Sequence, residues 1–331
     1  MAPNIGQASA ASTGVPFRTE TRDRVPVSGF VWSHAVPAQA QSVVVVAPAT
    51  SVRCRYYSRF AGYLHANGFN VVTFDYRGIG ESRPRSLRGF RADWADWGEH
   101  DLEAALRFAE ASFPGQPIDV VAHSIGGFAV GLAPSSRKLR RIFTVGAQYA
   151  YWRDYDARHR WRLFLKWHVA MPVLTALLGY FPGKRLGWME DTPAGVARDW
   201  SRMTARFEDT LRQDRFFAGE REAELLNQRF GKVRAPILAV GLDDDPFGTV
   251  AALDRLLRYF SASPWMHLRI APADIGCDAI GHFAFFHDRF NASLWPIALA
   301  WLQTGALPEG VPGRLAGSNR SPRSERSPAS F

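Results

Sequence analysis

Cysteine is scarce. Two residues in 331, Cys54 and Cys277, cannot build a disulfide framework or a cysteine-rich metal centre, and both read as free thiols. Long apolar runs are missing too. The longest, His168 to Phe181, covers about 14 residues, short of the ~18 to 20 that span a bilayer. Met1 to Val15 lacks the basic-then-apolar order of a secretory leader, so the expectation is a cytoplasmic protein with no transmembrane segment. No internal repeat and no block of like charge is visible. The formal charge of +9 is spread among acids, so no basic stripe points to a nucleic-acid partner. No His, Asp or Glu pair has compelling metal-ligand spacing, and neither a metal nor any other cofactor is expected.

What the chain does have is core-forming material, 47% of it hydrophobic, in a length that allows one large or two modest domains. Phe17 to Arg22 and Val25 to His34 read as two strands. Ser42 to Ala47 and Asn70 to Asp75 are continuous β-branched or aromatic runs, as buried strands are. Between them, Tyr56 to Asn67 has helical spacing and stops at Gly68. The alternation continues with an amphipathic helix from Asp93 to Phe113, a strand from Pro117 to Ala122, a helix from Ser124 to Leu132 and a strand from Arg141 to Gly146. The next strand, Pro236 to Gly241, lies some 90 residues on, far more than a crossover needs, so the interval must hold an inserted element. Helix Thr249 to Phe260, a strand around Trp265 to Ile270 and a final helix from Phe283 to Leu302 complete the pattern.

These signals predict an α/β protein with a mainly parallel sheet, helices on both faces and an antiparallel N-terminal edge. Residues 17–150 and 233–304 are expected to form the core, and 151–232 a helical cap between two late strands. Residues 1–16 are expected to be a flexible N-terminus and 305–331 a disordered tail.

One turn carries chemistry. Asp119-Val-Val-Ala-His-Ser-Ile-Gly-Gly joins a strand to a helix through Ala122-His123-Ser124-Ile125-Gly126, and small residues two positions either side of Ser124 let strand and helix approach closely. Ser124 then projects its hydroxyl from the sheet edge. An alcohol is a poor nucleophile at neutral pH, so a base and a group that orients the base are needed. The backbone amide of Ile125 is the first candidate donor to an oxyanion.

This turn resembles the nucleophile elbow of α/β-hydrolases, with Ala122 where Gly is usual. Asp75 to Ser82, Asp-Tyr-Arg-Gly-Ile-Gly-Glu-Ser, resembles the same superfamily, and there Asp75 and Arg77 are expected to pair beneath the site. Ala47 to Thr50, Tyr56-Tyr57, Tyr180 to Arg185 and Ile280 to Phe283 are similar to one bacterial group of predicted hydrolases related to serine aminopeptidase-like and lipase-like branches. The resemblance implies an α/β-hydrolase fold and the order Ser, acid, His. It puts the acid about three residues past the glycine that closes the Pro236 to Gly241 strand, which selects Asp244, with Asp245 as the near alternative. It puts the base at His282, just before the final helix, and leaves His287 inside that helix. His123 reads as structural or pocket-lining. The second oxyanion donor comes from the loop after the Ser42 to Ala47 strand. Counting to the next helix favours Thr50, with Ala49 and Ser51 as neighbours, whereas Pro48 has no N–H.

The interval from Tyr151 to Gly231 is rich in Trp and Phe, and an apolar lid over a serine suits an acyl or aromatic group. Arg153, Arg158, Arg160 and Arg162 near its start are candidate binders of a carboxylate or phosphate. The expected activity is cofactor-independent cleavage of a small-molecule carboxylic ester, less favourably an amide or thioester, of the carboxylesterase or lipase type. An acyltransferase on the same site and a non-catalytic ligand binder are the rival readings. Oligomeric state is not legible.

Overall fold

The computed structural model describes residues 14–36, 40–213 and 220–319. In chain order the first strands are β1 (Val15–Glu20), β2 (Pro26–Trp32) and β3 (Val43–Ala47), then helix α1 (Ser58–Ala66) and strand β4 (Asn70–Phe74). Helices α2 (Trp94–Asp96) and α3 (Glu103–Ser112) follow, joined by a π-helical stretch, Trp97–Leu102. Next come β5 (Ile118–His123), α4 (Ile125–Leu132) and β6 (Arg141–Val145). After an inserted region the core resumes with β9 (Ile237–Leu242), α10 (Val250–Leu257), β10 (Trp265–Ile270), α11 (Trp295–Thr304) and β11 (Arg314–Ser318).

Nine strands form one sheet in the order β1-β2-β4-β3-β5-β6-β9-β10-β11. The pairs from β4 to β10 are parallel, and β1, β2 and β11 are antiparallel edges. Alternate residues divide each strand between the two faces. Val43, Val45 and Ala47 pack with Val120 and Ala122 under α3 and α4, while Val44 and Val46 pack with Val121 and Val145 under α1 and α11. Because both faces are covered, β3 reads as an unbroken apolar run.

The insertion between β6 and β9 is the cap. It holds α5 (Arg160–Phe164), a π-helical stretch Leu165–Ala170, α6 (Met171–Leu178), a short hairpin of β7 (Tyr180–Phe181) and β8 (Thr192–Pro193), then α7 (Ala194–Arg202), α8 (Phe207–Gln213) and α9 (Glu220–Phe230). Stacked Trp167 and Trp200, 4.6 Å between ring centroids, sit at its centre. Bonds from Thr249 Oγ1 to the Asp154 carbonyl and from Tyr149 Oη to the Ala205 carbonyl, both 2.6 Å, fasten it to the core.

Two expectations need correction. The final helix does not run from Phe283. Residues Ala284–Phe286 and Asp288–Phe290 are 3-10 turns, and α11 starts only at Trp295, with Pro296 in its first turn. Proline cannot donate an N–H and clashes with the preceding turn, so it starts a helix rather than sitting inside one. His287 therefore lies between two turns. Within the expected tail, Arg314–Ser318 forms β11 on the edge of β10, where Arg314 also pairs with Asp243 at 2.8 Å. Main-chain pairing holds that strand, and its mostly exposed side chains carry no apolar period to read. The expectations for residues 1–13 and 320–331 lie outside the described residues.

Candidate active site

Ser124 joins β5 to α4 with φ 54° and ψ −119°, a positive φ that is costly for any residue with a side chain. Packing holds it there. The Ser124 amide donates to the Val145 carbonyl at 3.0 Å, and α4 comes so close to the end of β3 that a Cβ on Gly126 would overlap the Ala47 carbonyl oxygen. The hydroxyl opens onto a cavity of about 250 Å³ that Thr50, Ile125 and His282 also line.

His282 donates from Nδ1 to Asp245 Oδ2 at 2.7 Å, which leaves Nε2 as the nitrogen available to a serine. The Asp245 carboxyl is buried. Burial works to raise its pKa, but the charge and hydrogen bond of His282, with the amides of Gly248 and Phe247, outweigh it and bring the group below its ordinary value. Two glycines make room for the pair. A side chain on Gly146 would crowd Asp245 Oδ2 and the His282 ring, and one on Gly248 would overlap the same oxygen.

The carboxylate on His282 therefore belongs to Asp245, not Asp244. Strand β9 runs through Leu242 instead of ending at Gly241, and the turn closed by Asp245 N to the Leu242 carbonyl, 3.1 Å, shifts the facing position by one residue. Asp244 plays a different part. Its Oδ2 accepts the amides of Ile280 and Gly281 at 2.7 and 2.9 Å, clamping the backbone just before His282.

Among the amides of the loop after β3, Ala49 is already committed to Tyr57 Oη at 2.9 Å. Thr50 comes next along the chain, and among the described residues its amide has no acceptor. Ile125 supplies the first N–H of α4, whose dipole also favours negative charge.

His123 is fully buried and uses both ring nitrogens, Nδ1 to Tyr57 Oη and Nε2 to the His282 carbonyl, each at 2.8 Å. A carbonyl only accepts, so Nε2 carries the proton. Nδ1 then accepts from Tyr57, whose oxygen accepts from Ala49. Burial, then the nearby charge of His282, pulls His123 down to about 3, so it stays neutral. This run of hydrogen bonds ties together the loop after β3, the strand-to-helix turn at Ser124 and the loop that carries His282. Only the paired His-Ser and Tyr-Tyr strings hinted at it in the sequence.

The expected Asp75–Arg77 pair is absent. Arg77 Nε bonds Asp101 at 2.7 Å and its Nη1 bonds Asp23 at 2.6 Å. Asp75 instead accepts from the amides of Cys54 and Glu81 at 2.6 and 2.8 Å, and burial pushes it up to about 6. Among the described residues one group, Asp23, Asp96 and His100, has the donors for a metal ion, but the Arg77 guanidinium already sits against both acids.

The family described as serine aminopeptidase, S33 matches residues 38–259, well over half of the chain. The chain belongs to that family. This S33 chain has the α/β-hydrolase fold. Solved structures that share the fold include a soluble variant of Saccharomyces cerevisiae monoglyceride lipase, 14% identical over 93% of this chain and 100% of that one, with a TM-score of 0.61. A Pyrococcus furiosus esterase is 13% identical over 91% and 96%, with a TM-score of 0.55. The esterase domain of a Rhodothermus marinus protein is 17% identical over 87% and 97%, with a TM-score of 0.52. At such identities the likeness is one of fold. No curated protein matches the sequence. No helix among the described residues is long and apolar enough to cross a membrane.

Proposed function

We propose that this S33-family hydrolase cleaves a carboxylic ester through an acyl-enzyme on Ser124. The observation that carries this reading is His282, held by a buried carboxylate through Nδ1 and lining the same cavity as a serine on a strained elbow. In the first step Ser124 Oγ bonds to the acyl carbon as its proton passes to His282 Nε2. The carbonyl π-pair moves onto oxygen, which the amides of Thr50 and Ile125 receive. Collapse of this intermediate expels the alcohol, which takes the proton from His282. Water then repeats the sequence and frees the acid. Asp245 fixes the ring's tautomer and stabilises the imidazolium.

Trp94, Trp167, Trp188 and Trp200 wall the cavity, which favours an apolar or aromatic acyl group. A fluorophosphonate probe should label Ser124, and esters of graded chain length should be hydrolysed. Ser124→Ala should abolish labelling and reduce kcat/KM by about a thousandfold or more. Labelling that persists in Ser124→Ala would refute the assignment.

A further inference from the structure

The cap contributes two cations to the cavity wall. Arg162 and Lys166 lie one helical turn apart, and among the described residues neither has a carboxylate within ion-pair distance. The Lys166 ammonium lies 4.5 Å from the centroid of Trp167 and 4.0 Å from that of Trp188, both of which also line the cavity. It is thus held at the wall by aromatic faces instead of reaching for solvent. Burial, then the charge of Arg162, lowers the pKa of Lys166. Among the described residues no acid lines the cavity, and in the sequence none occurs from Ala157 to Met189, a run that holds Arg158, Arg160, Arg162, Lys166, Lys184 and Arg185. Gln148 adds a further polar donor. Its Oε1 accepts the Ala150 amide, which leaves its Nε2 for the cavity that it lines. The cap's share of the cavity wall is therefore apolar and positive, and among the described residues it holds no counter-charge.

We propose that the ester cleaved here carries a second, anionic group, a carboxylate or a phosphate, which Arg162 and Lys166 bind while the acyl carbonyl meets Ser124. This deepens the esterase reading and rests on it. The guanidinium offers a two-pronged contact and the ammonium a point charge, a combination that suits either anion.

The test has a binding arm and a turnover arm. Octanoate, octyl phosphate and octanol are titrated into the Ser124→Ala full-length protein and followed by tryptophan emission. Both anions should bind at least tenfold more tightly than octanol, and added salt should shrink the gap. Adding Arg162→Ala and Lys166→Met should collapse the gap to under threefold, Lys166→Arg should restore most of it, and Arg137→Ala, which lines none of this cavity, should leave it intact. If only one anion shows the gap, that anion is the group recognised. In the turnover arm, wild-type kcat/KM for 4-nitrophenyl hydrogen adipate should exceed that for its methyl ester by a similar factor. Octanol binding as tightly as the anions, or a gap that survives the double substitution, overturns the proposal. An intact binding preference with no ester turned over would instead overturn the hydrolase reading and leave the anion site standing.

Discussion

The rim of the sheet and the cap enclose one cavity by different means. At the rim, directed hydrogen bonds, most of them to main chain, fix each group: Asp245 to the His282 ring, Asp244 to the amides before it, His123 to the His282 carbonyl, Tyr57 to Ala49. Glycines there leave room for a single arrangement. In the cap, ring contacts such as those between Trp167 and Trp200 or Trp167 and Trp188 line the cavity, and two cations have no ionic partner among the described residues. Ring packing is less directional than hydrogen bonding and tolerates repacking, whereas an acid or base displaced by about an ångström loses orders of magnitude in rate. In the proposed hydrolase the rim therefore sets what reaction is possible, and the cap is free to decide on what.

The sharpest attempt to break this contrast sets the two neighbouring acids of the rim against each other. Asp245→Asn should lower kcat/KM on a simple ester by about a thousandfold or more, with little change in KM, because the amide cannot stabilise the imidazolium. Asp244→Asn keeps an acceptor oxygen for the amides of Ile280 and Gly281, and its loss should stay near tenfold. Steady-state kinetics of the two variants decide the matter, and the reverse ranking would return the role to Asp244.

Next in size is a pH effect on stability that belongs to the rim. Unfolded His123 takes up a proton below about pH 6.5, whereas the folded residue stays neutral until about 3. Folding should therefore lose stability as pH falls from 6.5 toward 3, by on the order of a few kcal/mol, with nothing lost above 6.5. Asp75 works the other way. Raised to about 6, it keeps a proton that the unfolded carboxyl releases from about pH 4, so its contribution fades as pH climbs from 4 to 6. Because the two contributions oppose each other between pH 4 and 6, the variants separate them: urea midpoints measured between pH 4 and 8 should rise less with pH in His123→Asn than in the wild type, and more in Asp75→Asn. An unchanged slope in His123→Asn would remove His123 from the account.

How much of this was legible in the chain varies with the force that fixes each part. Strands β3 to β6 could be read because burial on both faces leaves continuous apolar runs, and the elbow because close approach demands small residues around Ser124. The helix start at Trp295 was legible in principle through Pro296, whose missing N–H outweighs the apolar run before it. Strand β11 was not, since an exposed edge held by main-chain bonds leaves no side-chain pattern. Asp244 and Asp245 differ by one position in a turn, and only the end of β9 tells which of them faces His282. Arg77 chose Asp101 and Asp23, partners 24 and 54 residues away, which no local spacing could reveal.

The smallest expected effect compares the two regions through two glycines of one helix. In Gly126→Ala the new methyl meets the Ala47 carbonyl, fixed backbone at the end of β3. In Gly131→Ala it meets the ring of Phe230, on cap helix α9. Both are buried, and each should cost about 1 to 3 kcal/mol of stability as overpacking. Their kinetics should differ. Pushing on the rim should lower kcat, whereas pushing on Phe230 should move the cap and act mainly through KM. Thermal melts and ester kinetics on the two variants report both quantities. If Gly131→Ala lowers kcat as much as Gly126→Ala does, the cap helps to hold the rim in place, and the division between reaction and selectivity falls.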